Sequence, residues 1–251
     1  MIPTNPLRIV TAVCGLLAIA WGAATLPLFW RAAPLEQTAT NIINRIPYKA
    51  DSLEAVLPVI ENFEQSSTCV PRALRSSAII LLRRLEEGYR PDQVAELDGR
   101  LAGADNAIRR SLQCSPADPF LWLVLYSVES ARNGTRDDYL KYLSMSYRLG
   151  PREGWIAVQR NRVVMAIFPM LPPDLAEMVL AEFAELVQNR LFDQAADILL
   201  GPGWAIRDRL IARLSGVDER ERNEFAPRIN QKAGFNVPIP GVAAPGQRPW
   251  R

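Results

Sequence analysis

Residues 9–30, IVTAVCGLLAIAWGAATLPLFW, hold no charged side chain; Arg8 precedes them and Arg31 follows. An uncharged run of this length leaves few options. As a helix rising about 1.5 Å per residue it extends roughly 33 Å, enough to cross a hydrocarbon core of about 30 Å. Phe29 and Trp30 close the run where aromatic rings favour the interface, and Trp21 lies within it. Two readings stay open: an uncleaved signal anchor, or a signal peptide cleaved at Gly22-Ala23-Ala24. The run continues past that site through Leu26, Leu28, Phe29 and Trp30, which favours the anchor. Gly15 and Gly22 put small residues two turns apart on one face, where another membrane helix would pack if the chain were a structural subunit of a membrane complex.

Orientation follows less directly. Arg8 and the amino terminus lie before the run, whereas Arg31, Arg45 and Lys49 lie after it, so the positive-inside count is not decisive. The short leader, residues 1–8, is expected in the cytoplasm. The rest of the chain is then expected outside, in a bacterial periplasm, on a single-pass inner-membrane protein. Cys14 falls in the apolar run, leaving Cys69 and Cys114 as one pair. In an oxidising compartment their bridge would contribute roughly 4 kcal/mol by the chain-entropy relation. The alternative is two small buried thiols.

The chain has 251 residues, about half of them apolar, a net charge of +2 and no histidine. A balanced charge gives no field for nucleic acid. The missing histidine removes Ser-His-Asp and Cys-His nucleophiles, histidine zinc sites and histidine general bases. No CxxC motif is present, so neither a metal centre nor a thioredoxin-like site is supported. A binding protein without cofactor or metal is expected rather than an enzyme.

Beyond residue 30 the pattern is helical. Residues 31–50, with Pro34 and Pro47, read as a linker around a short amphipathic stretch; residues 51–235 read as one helical domain. In PRALRSSAIILLRRLEEG, Leu74, Ala78, Leu81 and Leu85 share one face. Turn signals at Gly88–Pro91, Ser115–Pro119, Asn133-Gly134, Gly150-Pro151, Pro172-Pro173 and Gly201–Gly203 separate short helices. No segment alternates with β-branched enrichment, so the fold class is all-α: a transmembrane helix followed by antiparallel helix pairs. Residues 236–251, NVPIPGVAAPGQRPWR, read as a proline-rich flexible tail. With Trp250 and Arg251 at its end, it is either a docking peptide or an unstructured terminus.

Two stretches, SLQCSP at 111–116 and SYRLGP at 146–151, end in prolines 35 residues apart. Pro116 stands six residues before Trp122, Leu125 follows one turn later, Gly134 marks a turn, and Ser146, Leu149 and Pro151 close the unit. Over residues 95–155 the chain thus resembles tetratricopeptide repeat proteins, whose period is about 34. The resemblance implies stacked helix pairs with a concave surface that binds proteins or peptides, and no catalytic residues. Tyr126 and Tyr139 depart from it, standing where the family prefers Gly or Ala. Trp155 comes two residues early for a second lead tryptophan, and the ending DILLGP at 197–202 is weaker still.

Several residues invite a functional reading beside a bland one. Arg148, Arg152, Arg160 and Arg162 would line an anion-binding groove for an acidic peptide, a glycan carboxylate or a phosphate, or form a solvated helix flank. Trp122 and Trp155 would stack on a ligand, or pack at helix starts. Glu153 would be the lone carboxylate acid of a glycan-cleaving envelope enzyme, or the acidic complement of a helix dipole, as would Asp137 and Asp138. Asn133-Gly134-Thr135 matches a glycosylation sequon, and an Asn-Gly turn explains it equally. The expected function is a membrane-anchored scaffold that binds partner proteins of a cell-envelope assembly, with surface-polysaccharide biosynthesis or export as one setting.

Overall fold

The computed structural model describes residues 6–44, 46–47, 51–87 and 94–243. The first five residues of the expected leader, the turn at Gly88–Pro91 and the end of the tail lie outside them. Among the described residues there are eleven α-helices and no strand, so the protein is all-α. It falls into two compact units, Met1–Pro116 and Ala117–Arg251, with the boundary inside the stretch 51–235 expected to be one helical domain. Pro116, which ends the stretch SLQCSP, also ends the first unit.

The first unit holds α1 (Pro6–Ile43), α2 (Asp51–Gln65), α3 (Pro71–Glu87) and α4 (Val94–Cys114). Of residues 31–50, expected as a linker with a short helix, those up to Ile43 continue α1, which runs unbroken through Pro27 and Pro34. A proline inside a helix removes a hydrogen bond and costs about 3 kcal/mol. Here that cost is offset by packing: Ala32, Leu35 and Ala39, spaced three and four apart, are 0%, 0% and 3% exposed, and α1 packs against α2 and α3. Residues 6–31 of the same helix contain no buried side chain, and their apolar side chains face outward. One helix therefore supplies both a segment long and apolar enough to cross a membrane and part of a folded core.

The ends of the remaining helices meet in antiparallel order. Glu54 near the start of α2 accepts from Arg84 near the end of α3, Nε to Oε1 2.9 Å. Cys69 before α3 is bridged to Cys114 at the end of α4, with Cα atoms 5.6 Å apart. Ile60, Phe63, Leu74, Ile80 and Ile108 fill the space between these helices.

The second unit holds α5 (Pro119–Asn133), α6 (Leu140–Leu149), α7 (Gly154–Met165), α8 (Pro173–Gln188), α9 (Phe192–Leu200), α10 (Arg207–Arg213) and α11 (Glu219–Ala233). Short 3-10 turns precede α6, α8 and α10 and follow α10. Helices α5 and α6 pack against each other, joined by a turn at Gly134, whose φ of 76° suits glycine. Tyr126, where a tetratricopeptide helix would carry a small residue, is instead buried in the core. Helix α8 packs on α7, α9, α10 and α11, and Phe183, Leu186 and Val187 on it meet Ile198, Phe225 and Ile229 in one apolar cluster.

The expected flexible tail is corrected for its first part. Val237 and Ile239 are buried in that cluster, and the Val237 N–H donates to Asn230 Oδ1 at 2.7 Å. The prolines at 238 and 240 interrupt helix formation but leave two apolar side chains free to cover the core. Residues 244–251, with Trp250 and Arg251, lie outside the described residues.

Candidate functional site

The stretch SYRLGPREGW, which links α6 to α7, is held from below by a buried polar hub. Asp118 caps α5, its Oδ1 accepting from the N–H groups of Phe120 and Leu121 at 3.0 and 3.2 Å, with Pro119 in the first turn. Ser146 Oγ donates to the Pro119 carbonyl at 2.7 Å and ties α6 to the start of α5. Gly150 lies so close that an added Cβ would stand 2.6 Å from Pro119 Cγ, so only glycine fits.

Arg160, on α7, is the centre. Its side chain is fully buried. Its Nε donates to Glu182 Oε1 and Oε2 at 3.0 and 3.2 Å, and its Nη2 donates to the same carboxylate. Nη1 donates to Ser146 O at 2.7 Å and Ser146 Oγ at 3.0 Å, and Nη2 to Gly150 O at 2.9 Å. The guanidinium also lies over the Tyr147 ring, 4.1 Å from its centroid. Asn161 completes the set, its Nδ2 donating to Glu182 Oε2 at 2.8 Å and to Ala157 O at 2.9 Å. One arginine thus joins α6, α7 and α8 and satisfies two carbonyls, that of Ser146 in the last turn of α6 and that of Gly150 in the connection to α7. The four-residue connection is fixed through its backbone.

Burial sets the electrostatics. It pushes the Glu182 carboxyl above the ordinary carboxylate value, against the lowering effect of Arg160. It pushes the Tyr147 phenol well above its usual range, and the neighbouring Glu182 charge adds to that. The Tyr147 hydroxyl and Asn161 Oδ1 are buried without a hydrogen bond of good geometry.

Beside the hub opens a cleft of about 440 Å³. Gly154, Ala157, Leu186 and Leu191 supply apolar lining; Arg152, Glu185 and Asn189 supply polar groups, and Glu182 reaches it from the hub. Its volume falls in the range of small-ligand and peptide side-chain pockets.

The four arginines expected in one groove separate here. Arg160 is corrected: it faces the interior, because its position on α7 shares the stripe of Ile156, Ala157 and Val164. Arg152 lines the cleft; Arg148 and Arg162 are exposed but do not line it. None of these three has an ion pair or hydrogen bond among the described residues. Trp155 is 48% exposed and packs on Phe120 with centroids 5.1 Å apart. Trp122 stacks on Tyr142 at 5.9 Å, as a packing residue does.

Glu153 is exposed at the cap position of α7 and makes no capping hydrogen bond. Asp137 and Asp138 lie in the first turn of the 3-10 segment before α6. Asn133 donates to Glu129 Oε2 at 2.9 Å. Gly15 and Gly22 have open space where a Cβ would stand. Among the described residues no group of three or more acidic or cysteine side chains forms a metal site.

Sequence reasoning did not single out Glu182, Asn161 or Tyr147. A signal was present for Glu182: Leu175, Val179, Glu182 and Leu186 follow helical spacing, so a carboxylate interrupts an otherwise apolar stripe. A buried acid of that kind demands a cation, and Arg160 supplies it.

These features define a helical protein with a span-length amino-terminal helix and a small polar-rimmed cleft in its second unit. Comparison with family models, curated proteins and solved structures finds no significant match to this chain.

Proposed function

We propose that the protein is a membrane-anchored helical scaffold that binds partner proteins in a bacterial cell envelope. The observation that carries this reading is the continuity of α1, which is uncharged over residues 9–30, has no buried side chain before Ala32, and then gives Ala32, Leu35 and Ala39 to a core. An anchor that is also core holds its domain to a membrane without a flexible tether. The tetratricopeptide-like stretch agrees with a role in holding partners. The cleft beside Arg152, with Arg148 and Arg162 exposed nearby in sequence, suits an acidic peptide or a glycan carboxylate. The periplasmic side is the expected location, and machinery for a surface polysaccharide is the setting we favour.

The test is affinity purification from mild detergent, with the full chain, the chain without residues 1–30, and Arg152→Glu. Envelope proteins recovered in stoichiometric amount by the first two and lost with Arg152→Glu support binding at the cleft. Recovery of no partner by any form overturns the scaffold reading.

A further inference from the structure

The topology of the first unit fixes which of its ends meets the lipid, given the anchored reading above. Helix α1 leaves the apolar segment at Trp30-Arg31, and the next residue, Ala32, is already core. No spacer separates span from fold. Helix α2 packs on α1 after a short connection, residues 44–50, and so turns back along it; the Arg84–Glu54 pair sets α3 antiparallel to α2, and the Cys69–Cys114 bridge sets α4 antiparallel to α3. Helix α3 therefore runs in the same direction as α1 and packs on it. Its 17 residues rise roughly 26 Å. The same distance back from Ile43 reaches the last turn of the span. The start of α3, the end of α2 and the end of α4 therefore lie at the level of Arg31, where headgroups begin.

We propose that this end of the unit, marked by the Cys69–Cys114 bridge, rests on the membrane and binds the phosphates of anionic lipid headgroups through Arg31 and Arg72. Both arginines are exposed, and neither has an ion pair or hydrogen bond among the described residues. Arg72 is the second residue of α3. Arg110, at the same end, is engaged in holding the Ser66 carbonyl, and Glu64 beside it is half-buried. Glu61 is the exposed carboxylate of this end. Two unpaired cations at headgroup depth, continuous with the span, complement lipid phosphate; each is worth roughly fivefold in preference for an anionic surface.

The experiment uses the full chain reconstituted in phosphatidylcholine vesicles containing phosphatidylglycerol. A photo-crosslinking amino acid is placed in turn at Leu17 in the span, at Ser67 in the bridge-side loop, and at Ile46 at the other end. Lipid adducts at Leu17 and Ser67 but not at Ile46 are expected. In the Arg31→Gln, Arg72→Gln double variant, enrichment of phosphatidylglycerol over phosphatidylcholine among the Ser67 adducts should fall roughly 25-fold.

Adducts at Leu17 without any at Ser67, or adducts at Ile46 instead, would overturn the placement while leaving the anchor intact. Absence at Leu17 as well would overturn it together with the anchored reading. Unchanged lipid enrichment in the double variant would overturn the role of the two arginines.

Discussion

Replacing Arg160 by methionine keeps much of the apolar stem and removes the charge. The guanidinium donates to Glu182, to Ser146 O and Oγ, and to Gly150 O, all inside the fold. Removing one partner of a buried ion pair costs about 3–5 kcal/mol, because the other charge is left uncompensated. For a unit of this size, about 3–5 °C of melting temperature accompany each kcal/mol, so the second unit should melt roughly 10–20 °C earlier.

The loss should depend on pH. Burial already holds the Glu182 carboxyl above its ordinary value, and without Arg160 it rises further. An acid whose folded value is raised contributes stability below its unfolded value, and that contribution is lost as pH rises through the folded value. The deficit of Arg160→Met against the parent should therefore widen from pH 4.5 toward pH 8. Adding Glu182→Leu should recover part of the loss, since an apolar pair in place of a buried ion pair is often neutral or better. Helix content followed by circular dichroism during heating, for the full chain in detergent at several pH values, reads all of this. A melting point for Arg160→Met within 2–3 °C of the parent would refute the hub as a structural strut, as would a pH trend of opposite sign; these limits are on the order of one kcal/mol.

Three further outcomes are expected. Without reductant only Cys14 should react with a thiol reagent under denaturing conditions, and Cys69→Ser should lose roughly 4 kcal/mol of first-unit stability in urea; labelling of three thiols would contradict the bridge. Leu35→Ala, at a fully buried position on α1, should destabilise the first unit by about 2–5 kcal/mol, seen as faster proteolysis between residues 44 and 116. Gly150→Ala would drive a Cβ into Pro119 and displace a carbonyl that Arg160 holds, so about 1–3 kcal/mol of second-unit stability should be lost in the same melting assay.

The all-α class was readable because turn residues and helical periodicity agree along most of the chain. Gly134, Gly150-Pro151 and Gly201-Pro202 each fall between helices in the structure. Pro34 misled for a physical reason. A proline's local cost is fixed, whereas the packing of Ala32, Leu35 and Ala39 that offsets it depends on α3, some forty residues away. Arg160 misled in the same way. Its neighbours in sequence suggest a charged flank, but its partner Glu182 lies on another helix, and only the fold brings the two together. The exposure of Arg152 was legible because it sits in a turn, where no distant partner buries it.

The proposed anchoring requires that α1 stay attached and embedded. The most direct test expresses the full chain in a Gram-negative bacterium, washes the membranes with alkaline carbonate, and measures the intact mass of the protein that remains. A carbonate-resistant protein with the mass of the uncleaved chain is expected. A carbonate-soluble protein lacking residues 1–24 would contradict it.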